Sequence, residues 1–152
     1  ASFSTPGASI LTSAGGQAVW TTDRTGASGY AGGDFTNFSG TSASAPVVSG
    51  VVALILEAND DLGWRDVQEI IAYSSRQADP TDLGWQYNGT GNWNGGGLHY
   101  SHDFGYGAID AYNAVRLAES WTRQSTSANM TTISTATATP NLAIQDSNTV
   151  QT

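Results

Sequence analysis

The sequence predicts a loop-rich globular domain that combines short strands with helices, and three observations support this class. Glycine is frequent, at 18 of 152 residues, while hydrophobic residues make up only 39%. This balance favours such a domain over a helical bundle. One long segment after residue 41 is apolar at nearly every helical position, and two later segments have amphipathic helical spacing. The length is sufficient for one domain with a sizeable core.

The first part of the chain is predicted to alternate turns and strands. A Pro-Gly turn and a Gly-Gly turn bound a short strand at residues 8–12, and a second strand follows at residues 18–22. Residues 23–39 are rich in Gly, Ser and Thr. We therefore expect a loop there.

The central helix is predicted from Ser42 to Asn59. Its apolar residues leave almost no polar face, and a helix that is apolar all round is buried. We therefore expect it to run through the centre of the domain. Pro46 falls in the first turns, where a missing N–H costs least. Small residues would let other backbone approach: Ser44, Ala45, Ser49 and Gly50.

Two more helices are predicted. Residues 63–75 form an amphipathic surface helix. Its apolar stripe is Trp64, Val67, Ile70 and Ile71, and its polar face is Arg65, Asp66, Gln68 and Glu69. Asp110 is the predicted N-cap of a third helix that ends near Trp121. The inward residues of that helix are expected to be Ala111, Ala114, Val115 and Ala118.

Composition changes after the third helix and predicts three parts of the chain. Residues 1–121 form the globular part. Residues 122–139, mostly Ser, Thr and Ala, are predicted to be a linker. Residues 140–152 are predicted to contain a turn and a strand at residues 142–144.

Charge and cysteine content exclude several classes of function. The formal net charge is -8, with only five Lys and Arg residues, and such a surface repels phosphate. We therefore expect neither nucleic acid nor a membrane as a partner. The chain has no cysteine, hence no disulfide framework, thiolate metal site or cysteine nucleophile. The longest apolar run, within residues 47–56, is too short to span a bilayer.

Ser42 stands at the predicted start of the central helix. A serine hydroxyl is a weak nucleophile until a base takes its proton. At a helix N-terminus, the macrodipole favours negative charge and free N–H groups can donate to an oxyanion. Gly40 frees the backbone and leaves room for a substrate. These residues alone fit either a nucleophile or an ordinary capping serine.

Several motifs then favour the first interpretation. The segment GTSASAP at residues 40–46, followed by VVSGV, resembles the nucleophile signature of the subtilisin-like serine proteases. Its Ala-Ser-Ala-Pro form resembles the kexin and furin branch. Further segments resemble that branch in order and spacing: TTD at 21–23, LEAN at 56–59, WRDVQ at 64–68 and FGYGAIDA at 104–111. The resemblance covers residues 1–121.

This resemblance implies a fold and an activity. The fold would be the subtilisin-like α/β fold, with a largely parallel sheet, helices on both faces and a buried central helix starting at the nucleophile. Ser42 would attack a peptide carbonyl and form an acyl-enzyme. Its own N–H and Thr41 would hold the oxyanion, with Gly40 and Ser39 also binding substrate. The expected protein is a secreted serine endopeptidase that acts on peptides or proteins.

The resemblance also implies residues that this chain lacks. The family's triad runs Asp, His, Ser along the chain, and no histidine precedes Ser42. We therefore expect the Asp, the His and an oxyanion Asn to lie in an upstream N-terminal part of the same domain. The present chain would be the C-terminal part of that domain, inactive alone. Structural calcium is expected in the whole enzyme, with no ligand assigned here. Thr5 stands where furin-like enzymes carry a substrate-binding acid, which weakens a dibasic preference.

Alternatives remain at this stage. The runner-up is a non-catalytic binding or structural module on a subtilase scaffold. A triad within the chain would combine Ser42, His102 and either Asp103 or Asp110. A carbohydrate-binding surface would use Trp85 and Trp93.

Minor signals complete the sequence. The carboxylate pairs Asp60-Asp61 and Asp79/Asp82 are expected to be solvated rather than metal-bound. Residues 140–146 resemble the opening strand of the P domain that follows kexin-branch catalytic domains. Asparagines in N-x-Ser/Thr sequons are Asn37, Asn88 and Asn129.

Overall fold

The computed structural model describes residues 1–89 and 96–124, together with the backbone of two later strands. A 3-10 turn at Gly26–Ser28 lies between the first two strands. In chain order the elements are β1 (Val19–Thr22), β2 (Phe35–Phe38), α1 (Thr41–Ala58), α2 (Trp64–Ser74), β3 (Gln86–Tyr87), β4 (His99–Tyr100), α3 (Ala111–Ser120), β5 (Thr132–Ser134) and β6 (Thr149–Gln151).

The core lies where α1 meets α2 and α3. All three helices were predicted, with bounds within one residue for α1, α2 and α3. Ile55 and Ile70 are completely buried, as are the two alanines through which α3 approaches the other helices. The core cluster consists of Val51, Ile55, Val67, Ile70, Ile71, Ala114 and Ala118. Of the residues predicted to face inward on α3, Ala111 and Val115 are half-buried.

The burial of α1 differs from the prediction. Val47, Leu54 and Leu56 are 43%, 52% and 40% exposed. Because α1 is covered on one side by α3 and by the core cluster shared with α2, its other side remains uncovered by the described residues. By length and composition alone, this 18-residue helix could also cross a membrane, which the shorter apolar run did not indicate. Core helices of water-soluble proteins meet the same criterion.

Asp66 is a second correction, because it is fully buried rather than solvated on the polar face of α2. One carboxylate oxygen accepts from Gly63 N–H at 2.8 Å, at the start of α2. The other accepts from Trp121 Nε1 at 3.2 Å and from Gln124 N–H at 2.9 Å. These bonds tie the segment after α3 to α2.

Trp64, predicted to be in the apolar stripe, is 60% exposed.

The described strands form three two-stranded antiparallel sheets: β1 with β2, β3 with β4, and β5 with β6. Among the described residues, the one parallel pairing is an isolated bridge between Ser13 and Ala108. The predicted strand at residues 8–12 is not formed. The predicted loop at residues 23–39 contains β2, whose partner β1 lies across a 12-residue connection. A parallel sheet is therefore not assembled within this part of the chain.

Two predictions concern the C-terminal part. Strand β5 falls inside the segment predicted to be a linker. The strand predicted at residues 142–144 lies outside the described residues.

The N-cap of α3 is confirmed, because Asp110 Oδ1 accepts from Asn113 N–H at 3.0 Å.

Candidate active site

The N-terminus of α1 is open. Gly40 is its N-cap, with φ 148° and ψ 164°, a conformation that residues with a Cβ rarely adopt. This glycine lets the chain pass from β2 into α1 within two residues. No side chain of residues 1–89 and 96–124 caps α1, so N–H groups of its first turn stay available to a ligand. Ser42 lies in this turn and is exposed.

A loop some 24 residues earlier holds this helix start in place. Gly40 N–H donates to Gly16 O at 2.8 Å. A Cβ on Gly16 would lie 2.7 Å from Gly40 O and would also clash with Ser44 Oγ. The hydroxyl of Ser39, a predicted substrate-binding residue, accepts from Ala18 N–H at 2.9 Å. Ser39 therefore helps to join the same loop to the segment before Ser42.

Two cavities adjoin the first turns of α1, with volumes of about 410 and 550 Å³. Thr41, Ser44 and Asp103 line both of them. Thr5 lines the smaller cavity and Asp82 the larger one. Sequence reasoning placed Thr41 here, but treated Ser44 only as a small packing residue. Asp103 reaches the cavities from a segment about 60 residues further along the chain, so no local sequence pattern predicts its position there.

The two histidines make structural contacts. The His102 ring lies edge-on to Tyr100 at a centroid distance of 5.8 Å, and its carbonyl accepts from Gly7 N–H at 2.9 Å. His99 packs edge-on against Trp85 at 5.2 Å, and its buried Nε2 has no hydrogen-bond partner among the described residues. Within residues 1–89 and 96–124, neither histidine is hydrogen-bonded to Ser42.

Of the two acidic residues of the alternative triad, Asp110 has its carboxylate engaged elsewhere, whereas Asp103 is held through its backbone. Asp110 uses both oxygens on Asn113, through its backbone N–H and its side-chain amide at 3.0 Å each. Asp103 N–H donates to Ser101 Oγ at 3.1 Å, which fixes the turn after β4. The described residues therefore do not assemble a Ser-His-Asp set around Ser42.

The described residues also lack a metal centre, since no three His, Asp or Glu side chains among them form a group that could hold an ion. Asp79 accepts from both the N–H and the hydroxyl of Thr81, at 3.0 and 2.7 Å. These bonds hold the pKa of Asp79 below its ordinary value, with the hydroxyl contributing most. Asp82 accepts from Gly84 N–H at 2.6 Å. Both carboxylates thus stabilise turns, and this donor set does not fit calcium.

Trp85, the first residue of the suggested carbohydrate surface, is partly covered by protein. Its ring stacks on Phe104 at a centroid distance of 5.7 Å and an interplanar angle of 14°, and its N–H donates to Asp79 O at 2.6 Å. One face of the indole is therefore covered by protein. The second proposed tryptophan, Trp93, lies outside the described residues.

This chain is similar in sequence to a family of known proteins. The family profile described as Subtilase family matches residues 1–107. The chain is 48% identical over 84 residues to a PC3-like endoprotease variant B of Hydra vulgaris, covering 55% of this chain and 11% of that protein. It is 46% identical over 82 residues to protease KEX1 of Kluyveromyces lactis and 44% identical over 84 residues to human furin. These matches cover 54% and 55% of this chain, and 10% of each relative.

Solved structures agree on the fold. A serine protease of Aeromonas sobria matches with a TM-score of 0.59 at 24% identity, over 79% of this chain and 26% of that one. Fervidolysin from Fervidobacterium pennivorans matches with a TM-score of 0.54 at 19% identity, over 74% and 16%. The α/β subtilisin-like fold predicted for the domain is thereby confirmed. The chain spans about a tenth of the length of the curated relatives it matches.

Proposed function

This chain belongs to the subtilase family, and on that premise we propose that it supplies the nucleophile of a serine endopeptidase of the kexin and furin type. Ser42 forms the acyl-enzyme. The single observation that carries the proposal is the position of Ser42 in the exposed first turn of α1, where no side chain competes for the free N–H groups.

The chemistry proposed for this turn is acyl transfer. Ser42 Oγ attacks the scissile carbonyl while a histidine accepts its proton. The histidine gives this proton to the amine as the peptide C–N bond breaks, and water then hydrolyses the acyl-enzyme and regenerates the Ser42 hydroxyl. The Ser42 N–H donates to the oxyanion, and the positive end of the α1 dipole stabilises the same charge. Thr41 and Gly40 shape the wall of the substrate site. Ser39 acts mainly through its bond to Ala18 N–H.

The base and its orienting carboxylate are proposed to come from an N-terminal part of the same catalytic domain. No histidine among the described residues is hydrogen-bonded to Ser42. The described residues also leave Val47, Leu54 and Leu56 of α1 exposed, an apolar surface that such a part would cover. In this proposal residues 1–121 complete the catalytic domain, residues 122–139 connect it onward, and residues 140–152 begin a P domain.

Substrate, location and cofactor are proposed at a coarser level. The substrates are peptides or proteins, and the enzyme is secreted. Calcium is proposed as a structural cofactor of the whole enzyme, but the carboxylates described here do not fit it, so no step involves it. The runner-up is a non-catalytic module on the same scaffold, which the absence of a base beside Ser42 among the described residues also fits.

A serine-directed fluorophosphonate tests the proposal. The reagent is applied to the 152-residue chain and to a longer protein that includes the preceding catalytic part. We expect no label on the folded short chain and stoichiometric label on the longer one. The label should disappear in Ser42→Ala. It should persist in the control Ser49→Ala, whose hydroxyl donates within α1 to Ala45 O at 3.1 Å.

Two outcomes would overturn parts of the proposal. Label mapped to Ser42 in the short chain would mean that a working base lies within it, and His102 would be the first residue to replace. A folded longer protein that takes no label at Ser42 would favour the non-catalytic module. Circular dichroism of each protein separates these outcomes from misfolding.

A further inference from the structure

A cavity of about 570 Å³ opens on the β1–β2 hairpin, the segment that leads directly into Ser42. It is lined by Thr21, Thr22, Asp23, Arg24, Tyr30, Thr36, Asn37 and Phe38. The last of these stands four positions before Ser42. The cavity is therefore continuous in sequence with the proposed active site, although the catalytic mechanism makes no use of it.

The cavity holds one cation, Arg24, one carboxylate, Asp23, and several polar side chains that form no hydrogen bond with the described residues. Arg24 is exposed and makes no ion pair with the described residues. The hydroxyls of Thr21 and Thr22 and the amide of Asn37 also form no hydrogen bond within the described part of the chain. Tyr30, 87% exposed, and Phe38, 44% exposed, add apolar walls.

The loop that carries Arg24 is held in one shape. Asp23 Oδ1 accepts from Arg24 N–H at 2.8 Å, and Oδ2 accepts from Tyr30 and Ala31 N–H at 2.7 and 2.9 Å. A Cβ on Gly29 would lie 3.0 Å from the same Oδ2 and would clash with Arg24 O. Because three backbone donors already satisfy the Asp23 carboxylate, that side chain does not compete for the Arg24 guanidinium. The site is thus preorganised.

We propose that this cavity binds an acidic side chain of the polypeptide substrate, with the Arg24 guanidinium as its charge partner. Guanidinium matches carboxylate geometry and can bond it in bidentate fashion. The threonine hydroxyls and the Asn37 amide supply further donors, and the aromatic walls cover the methylenes of a glutamate. In the protease proposed above, such a site adds a preference for an acidic residue in the substrate. The cleavage consequence depends on the proposed protease function, whereas the binding itself does not.

Binding is tested on the 15N-labelled 152-residue chain. The probes are two capped pentapeptides, Ala-Ala-Glu-Ala-Ala and its Gln counterpart, and the signal is the Arg24 Nε–H resonance. We expect a saturable shift with the Glu peptide, with affinity at least about fivefold above that for the Gln peptide and falling with added salt. Arg24→Gln should abolish this difference. Arg65→Gln, on α2, should retain it.

Equal effects of the two peptides, no effect of either, or unchanged Glu selectivity in Arg24→Gln would each overturn the proposal. In the longer protease, substrate pairs with Glu or Gln at each position around the scissile bond supply a second readout, kcat/KM. Loss of Glu preference in Arg24→Gln, with Gln substrates cleaved as before, supports the site. Absence of all cleavage together with intact Glu selectivity in binding would count against the protease function alone.

Discussion

At its C-terminal end α1 packs Val51 and Ile55 against α2 and α3, whereas at its N-terminal end it presents Ser42 to solvent. The first end is held by apolar side chains, several of them completely buried. The second is held mainly by backbone groups, such as the Gly40–Gly16 bond of 2.8 Å. If Ser42 is the nucleophile proposed above, one helix thus separates stability from chemistry along its length. Changes at the two ends should have different consequences.

The largest expected effect comes from a pair of neighbours on α1. Ile55→Ala leaves a cavity in the core and should lower the free energy of unfolding by about 3 kcal/mol. Leu54→Ala, at a position that is 52% exposed, should cost only about 0.5 kcal/mol. Urea unfolding of the 152-residue chain measures both. Equal costs for the two variants would contradict the one-sided packing of the helix.

The same pair sharpens the comparison in a longer protein. If the N-terminal part of the catalytic domain covers the open side of α1, Leu54 becomes buried there. The cost of Leu54→Ala should then rise to about 2 kcal/mol or more, while that of Ile55→Ala stays similar. An unchanged cost for Leu54→Ala would mean that this surface stays uncovered.

A smaller effect is expected from Asp66, the polar member of the stable end. Asp66→Ala would leave the Gly63 N–H, the Trp121 Nε1–H and the Gln124 N–H without their acceptor. The expected loss is about 2 kcal/mol. Trp121 fluorescence should shift in the folded variant, because the indole loses its bond. The exposed Asp61→Ala is the matched control, and a comparable loss there would remove the special role of Asp66.

The smallest effect concerns the hairpin before Ser42 and depends on pH. Three backbone N–H bonds, that of Ala31 foremost, hold the pKa of Asp23 below its ordinary value of 3.8, although burial opposes them. The ionised carboxylate therefore orders the loop at pH values above 3.8, and this contribution is lost as the pH falls through the lower folded value. The protection of the Tyr30 and Ala31 amides, taken relative to the intrinsic exchange rate at each pH, should fall below pH 3.8. Asp23→Ala should show fast exchange already at neutral pH, and an acid step that persisted in this variant would contradict the assignment.

Helices were the most predictable part of this fold. The apolar and small residues of α1 and the periodic stripe of α2 fix both helices through local spacing, which is visible in sequence. The predicted capping role of Asp110 is local as well, since its partner Asn113 lies in the next turn. Asp66 was misplaced because its acceptor role depends on Trp121 and Gln124, some 55 residues away. A buried carboxylate of this kind has no local signature.

Strands and the extent of burial were less predictable for the same reason. Strand β2 pairs with β1 across a 12-residue connection, beyond the two to five residues that make a hairpin recognisable. Its Gly- and Ser-rich surroundings favoured a loop. At the candidate site, Ser42 was identified from a contiguous motif. Asp103 joins the adjacent cavities from a distant segment, and Arg24 gave no motif at all.

Gly16 limits how this site could be transferred to another protein. The seven residues from Gly40 to Pro46 form one contiguous motif. Their entry conformation nevertheless depends on the Gly16 carbonyl and on the absence of a side chain at Gly16. A heptapeptide transferred alone would lack the contact with Gly16 that fixes its entry conformation. A successful graft would need both segments as a discontinuous pair, with their relative placement copied from this fold.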